Sequence, residues 1–200
     1  MISIIIAEDQ YMLRKAMVQL IEFNEQMKVV NDCNNGGDAF EFIEKYHPDI
    51  AILDIEMPGL TGLEVLSKIR EFKIDTKVII VTTFKRPGYF EKAVANDVDA
   101  YVLKERSVED LIQTIQNVMK GEKEYSTSLM TTLFKESNPL THKEQVVLRE
   151  IGNNLSSKEI AEKLYLSDGT VRNYTSNIID KLNAENRFNA WKKAKEKGWI

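Results

Sequence analysis

The sequence has little with which to cross-link itself, since Cys33 is its one cysteine. A lone cysteine forms no internal disulfide and no cysteine-based zinc site, and the two histidines, His47 and His142, do not extend it toward one. The expectation is a buried, reduced thiol in a cytoplasmic protein. Only four prolines and nine glycines occur, which excludes collagen-like and proline-rich low-complexity classes. No apolar run approaches the roughly 18 residues of a membrane span, so no membrane insertion is expected. Residues 1–9 carry no basic leader and reach acid at Glu8, so no secretory signal is expected either.

What is present is the composition of an ordinary globular chain, 43% hydrophobic and 29% charged over 200 residues. That length suits one mid-sized domain or two small ones. The net charge of −4 is unevenly spread: residues 138–200 hold 11 Lys and Arg against 8 Asp and Glu. The front of the chain is therefore acidic and the back basic, which suggests two modules with different partners.

The front alternates two kinds of segment. Residues 2–7, 28–30, 50–53, 78–81 and 100–103 are short and rich in Ile and Val, as strands buried on both faces are. Between them lie helical patterns. Met12, Ala16, Leu20 and Phe23 share one face, and Ala39, Phe42, Ile43 and Tyr46 another. Leu63, Leu66 and Ile69 follow. Leu111, Ile115, Val118 and Met119 make the last face, opened by Ser107 as N-cap and closed by Gly121. Strict alternation predicts a doubly wound five-stranded parallel sheet with helices on both sides. The segment 84–90, with Pro87, Gly88 and three aromatics, reads as a mobile switch loop, as a helix start, or as both. After Gly121 the alternation stops. Residues 122–138 read as a tether carrying one short amphipathic helix around Leu129, Met130, Leu133 and Phe134, ended by Asn138-Pro139.

Three acids, Glu8, Asp9 and Asp54, follow the first and third strands. In a doubly wound sheet these ends flank the switch point where ligands bind. Converging carboxylates resist ionising together unless a cation sits among them. Mg²⁺ favours one or two carboxylates together with water and a phosphate oxygen. Asp54 could then act as a nucleophile forming an acyl phosphate. Thr82 and Lys104, ending the fourth and fifth strands, supply a hydroxyl and an ammonium for phosphoryl oxygens.

Glu8-Asp9, Asp54-Ile55-Glu56-Met57-Pro58-Gly59, Thr82 and Tyr101-Val102-Leu103-Lys104 resemble the receiver domain of two-component response regulators over about residues 1–121. The resemblance implies the flavodoxin-like strand order 2-1-3-4-5. It implies that a sensor histidine kinase phosphorylates Asp54. Mg²⁺ would be held by Glu8, Asp9, Asp54 and the backbone carbonyl of Glu56. Thr82 and Lys104 would engage the phosphoryl group, with Tyr101 swinging in response. Two positions depart from the common pattern: Glu8 stands where Asp is commoner, and Glu105 stands where many receivers have proline.

Residues 139–200 read as all helical. Thr141 with Glu144, and Ser156 with Glu159, form capping boxes, and Ser167 is a third N-cap. Helices then start near 142, 157 and 168, and a fourth covers about 187–197. The second and third are joined by a few residues, as in a helix-turn-helix. If Val171, Ile178 and Leu182 face inward, Arg172, Asn173 and Ser176 are base-reading candidates. Thr170, Tyr174, Asn177 and Lys181 are phosphate candidates. Leu140-Thr141-His142-Lys143-Glu144, Ser157-Lys158-Glu159-Ile160-Ala161 and Gly169-Thr170-Val171-Arg172-Asn173-Tyr174 resemble the LuxR-type helix-turn-helix. Joined to a receiver, they make the whole chain similar to the NarL/FixJ class. Residues 84–90 and the ending Lys195-Glu196-Lys197-Gly198-Trp199 are similar to DesR-type regulators, which pair with membrane-lipid-sensing kinases.

The resemblance implies a homodimer on phosphorylation, binding double-stranded promoter DNA. The fourth helix is a dimer contact in that family, and Trp191 also suits the small core. Two other readings remain open at this point. One is an aspartyl-phosphate hydrolase, for which the segments leave no substrate cap. The other is a constitutive DNA-binding protein, against which Asp54, Thr82 and Lys104 speak.

Overall fold

The computed structural model describes residues 1–83, 86–126 and 138–200. The chain forms two compact units, an α/β unit from its front and a helical unit that takes in everything described from Asn138 onward together with Arg86–Tyr89. The α/β unit runs β1 (Ile2–Ala7), α1 (Tyr11–Glu22), β2 (Met27–Cys33), α2 (Gly36–Tyr46), β3 (Ile50–Leu53) and α3 (Gly62–Glu71). It continues with β4 (Lys77–Thr82), α4 (Pro87–Ala95), β5 (Ala100–Leu103), α5 (Val108–Met119) and β6 (Glu124–Tyr125). All strand pairs are parallel, in the order 2-1-3-4-5-6.

The expected order 2-1-3-4-5 is therefore present with one strand added. β6 has two residues and no apolar run, so no hydrophobic pattern marks it. It is held by the backbone of β5, with Ser126 N donating to Tyr101 O at 3.2 Å. The helix expected around Leu129–Phe134 lies outside the described residues. In the 84–90 segment the helix start holds: α4 begins at Pro87, where a missing N–H costs nothing.

β3 and β5 are buried at every position, as strands covered on both faces must be. β2 departs from that expectation. It lies at the sheet edge, is longer than its three-residue core, and is buried fully only at Met27 and Cys33. A register shift opposite Ile4 and Ile5 leaves Val30 outside the ladder and 41% exposed. Helix starts follow the chain's own side chains: Asn35, Thr61 and Ser107 cap α2, α3 and α5, Thr61 with a full capping box to Glu64.

α1 overturns the expected face. Its buried residues are Arg14, Met17 and Ile21. Met12 and Phe23, which the spacing joins to Ala16 and Leu20, are 85% and 83% exposed. The helix is rotated because Arg14 is drawn inward by polar partners described below. On α2, Ala39 and Ile43 are buried as expected while Tyr46 is exposed.

The helical unit contains α6 (His142–Gly152), α7 (Ser157–Leu164), α8 (Asp168–Lys181) and α9 (Arg187–Glu196). The two capping boxes and the Ser167 cap form as the sequence predicts. α7 ends at Tyr165 in the left-handed conformation, and Leu166 N returns to Ala161 O at 2.8 Å. The turn to α8 is thereby closed within three residues. Val147, Leu148, Ile151, Ile160, Val171, Ile178 and Leu182 meet Ala190, Ala194 and Trp199 in one core. Trp191 is half-buried against it and lies so close to Gly152 that a Cβ there would meet its Nε1 at 1.9 Å.

Candidate functional site

Strand register assembles the first site. Ala7 pairs with Leu53, so Glu8 and Asp54 leave the sheet side by side, and Asp54 N donates to Ala7 O at 2.9 Å. Thr82 pairs with Leu103, and Lys104 N donates to Thr82 O at 2.9 Å. Four adjacent strands thus deliver Glu8, Asp54, Thr82 and Lys104 to one edge.

Glu8, Asp54 and Thr82 are buried and Asp9 is exposed. Oxygens of Glu8, Asp9 and Asp54 all lie within 4.8 Å of one another. Lys104 Nζ stands 2.6 Å from Glu8 Oε2 and 3.0 Å from Asp54 Oδ2. Asp54 Oδ1 accepts from Ile55 N at 2.8 Å, and Glu8 Oε1 accepts from Gln10 N at 3.2 Å. Burial pushes the Glu8 and Asp54 carboxyls above the usual carboxylate range, and Lys104 offsets this only in part. Two buried acids sharing one ammonium, with a third at the surface, form a hard-oxygen donor set suited to a small divalent cation. Glu56 has an exposed side chain. Tyr101 is wholly buried, edge-on to Phe90 with ring centroids 5.1 Å apart.

Two supports of this site escaped the sequence reading. Arg14 donates to Glu8 O at 2.5 Å and to Asp32 Oδ2 at 3.0 Å, while Lys15 Nζ lies 2.8 Å from the same oxygen. The loop carrying Glu8 and Asp9 is tied down by a buried guanidinium that an apolar-face count passes over. Gly62, the first residue of α3, lies against Asp54, and a Cβ there would meet Asp54 O at 2.1 Å. Its closeness to the Pro58-Gly59 turn in sequence was the available signal.

The second site is the exposed face of α8. Arg172, Asn173, Ser176 and Asn177 are exposed, and Thr170 and Tyr174 are half-buried. Thr170 Oγ1 lies 2.8 Å from Ser167 Oγ, and Tyr174 packs on the core. Arg172 Nη2 pairs with Asp168 Oδ2 at 2.7 Å. Lys181, expected toward phosphate, instead turns its ammonium to Glu144 Oε2 at 2.8 Å. Glu144 is buried, and the pair joins the start of α6 to the end of α8.

Residues 4–116 match the response regulator receiver domain, and residues 138–194 match the LuxR family of bacterial regulatory proteins. The chain is 46% identical over 200 residues to the transcriptional regulatory protein DesR of Bacillus subtilis, covering all of both chains. A crystal structure of a LuxR-family DNA-binding response regulator from Staphylococcus aureus is 64% identical, with a TM-score of 0.58. That match covers 60% of this chain and 99% of the other. The RcsB response regulator of Salmonella typhimurium shares the fold, with a TM-score of 0.70 at 24% identity. Here 98% of this chain and all of the other are covered.

Proposed function

Because the chain belongs to the two-component response regulators that join a receiver domain to a LuxR-type DNA-binding domain, and so regulates transcription, we propose that Asp54 is its switch. A sensor histidine kinase presents a phosphohistidine. The Asp54 carboxylate attacks phosphorus, the bond from phosphorus to the histidine nitrogen breaks, and an acyl phosphate forms. The observation that carries this reading is the ammonium of Lys104 set between Glu8 and Asp54, 2.6 and 3.0 Å away.

Glu8, Asp9 and Asp54, with the carbonyl of Glu56, would hold Mg²⁺, which supplies charge compensation for the phosphoryl oxygens. The chain's own groups do the rest. Arg14 fixes the loop that carries the two leading acids. Gly62 lets α3 pack tightly under Asp54. Thr82 and Lys104 take the phosphoryl oxygens, and the buried Tyr101 ring responds from the next strand.

Phosphorylation then favours a homodimer. The exposed apolar stripe of α1, Met12, Ala16, Leu20 and Phe23, is the surface best suited to that contact. Two helical units engage neighbouring half-sites of double-stranded promoter DNA. Arg172, Asn173 and Ser176 face the bases. Thr170, Tyr174 and Asn177 flank the backbone. α8 brings few cations, so one unit alone binds weakly and pairing gives a large gain.

The test is the mass in solution by light scattering, with Mg²⁺ and with or without beryllium fluoride as phosphoryl mimic. Wild type shifts from monomer to dimer and Asp54→Ala does not. An equal shift in both, or none in either, removes Asp54 from the switch.

A further inference from the structure

Resting on the reading of α8 as the DNA-facing helix, we infer that Asp168 is a specificity-determining positioning residue: it holds Arg172 against the base edges, so that each half-site carries one required guanine. Asp168 is the first residue of α8 and Arg172 lies one turn further along. The two side chains pair at 2.7 Å. Arg172 is otherwise open to solvent, with 68% of its side chain exposed, whereas Asp168 is the more enclosed partner at 33%. Asp168 Oδ1 is itself buried without a hydrogen-bond partner among the described residues. One oxygen of the carboxylate is thus enclosed, and the other is what it offers to the guanidinium.

A carboxylate at the leading end of a helix that approaches a polyanion is costly unless it does something. Part of its value is local, because an acid in the first turn suits the helix dipole. The dipole does not account for the partner. A free arginine on this face would find the nearest phosphate, a contact blind to sequence. Asp168 competes with phosphate for the same guanidinium and so disfavours that pose. It also leaves most of the five N–H donors of the fork available. Two of them facing O6 and N7 of a guanine make the commonest specific contact in the major groove. An arm already held loses less rotamer freedom when it docks.

The test uses the full-length protein with Mg²⁺ and beryllium fluoride. Bound duplexes are selected from a randomised pool, and competition binding then follows with duplexes changed at single positions. Wild type is expected to select a guanine at one position per half-site and to prefer it about tenfold or more over adenine. Arg172→Ala loses that position. Asp168→Asn, which keeps the size and removes the charge, drops the preference to about threefold or less while binding unselected duplex at least as tightly as wild type. Asp168→Glu, still able to reach one turn along the helix, restores it.

A merely structural role for Asp168 would weaken binding to all duplexes alike, which overturns the proposal. So does an Asp168→Asn protein that keeps the guanine, or one that loses a cytosine instead. If wild type selects no sequence while α8 variants bind like wild type, it is the assignment of α8 that fails.

Discussion

Lys104 pairs with Glu8 at 2.6 Å, more closely than with Asp54, the proposed phosphoryl acceptor, at 3.0 Å. A glutamate at this position reaches one methylene further than an aspartate. Lys104→Met would leave two buried acids without their ammonium. The α/β unit should lose about 3 kcal/mol, as when one partner of a buried pair is removed. Glu8→Gln in the same background should recover part of that loss. Denaturant unfolding of the two single variants and the double gives the coupling, and strictly additive losses would mean that the pair is not one unit.

Burial raises both acids above the ordinary values of 4.5 for Glu8 and 3.8 for Asp54. A raised folded value means that the ionised form is disfavoured by folding, so at neutral pH these groups cost stability and acid relieves the cost. Mg²⁺ at the proposed site would bind the ionised form. Its affinity should fall as pH drops, and at a higher pH than for ordinary carboxylates. Binding should release protons, visible in calorimetry as a heat that depends on the buffer. Affinity that stays flat down to the usual carboxylate range contradicts this.

Gly62 has no room for a side chain, since a Cβ would lie 2.1 Å from Asp54 O. That oxygen is backbone and cannot rotate away. Gly62→Ala should destabilise the α/β unit by about 1–3 kcal/mol and slow phosphorylation by a small-molecule phosphodonor. Gly121, with nothing among the described residues within 4 Å of its Cβ position, is the contrast. Its φ of +86° makes alanine strained there, but phosphorylation should be unaffected.

The strand ends that carry Glu8, Asp54, Thr82 and Lys104 were legible because doubly buried parallel strands write themselves as Ile- and Val-rich runs. The capping boxes were legible because their partners lie three residues apart. What escaped has a different physical basis. On α1 an apolar stripe and a core face look alike in sequence, and only the inward Arg14 separates them. β6 is a backbone ladder of two residues with no side-chain signature. Lys181 carries a charge suited to phosphate, but its partner Glu144 lies 37 residues earlier, beyond any local pattern.

The α1 stripe gives its own prediction. Phe23 is 83% exposed and continues the apolar stripe of Met12, Ala16 and Leu20, so covering it would bury a contiguous apolar patch. Phe23→Glu should leave the melting temperature nearly unchanged, because the ring contributes little to the core. It should weaken the dimer seen with beryllium fluoride by about tenfold or more. A dimer of wild-type strength would move the contact to another face.

Glu144 ties α6 to α8. Burial by itself would raise its carboxyl, but hydrogen bonds from Lys181 and Thr141 outweigh that and hold it below the usual 4.5. A depressed folded value contributes stability that is present above 4.5 and lost as pH falls through the folded value. Glu144→Gln keeps the capping box, since glutamine serves at that position, and removes the ion pair. It should cost about 1–2 kcal/mol at neutral pH and nothing in acid, where the wild-type carboxyl is itself neutral. Lys181→Met should cost more than Glu144→Gln at neutral pH, because it strands a buried charge instead of removing one. Both tryptophans, Trp191 and Trp199, lie in the helical unit, so fluorescence-detected unfolding reads this unit alone. A smaller loss for Lys181→Met than for Glu144→Gln would show that Glu144 acts through its cap and not through α8.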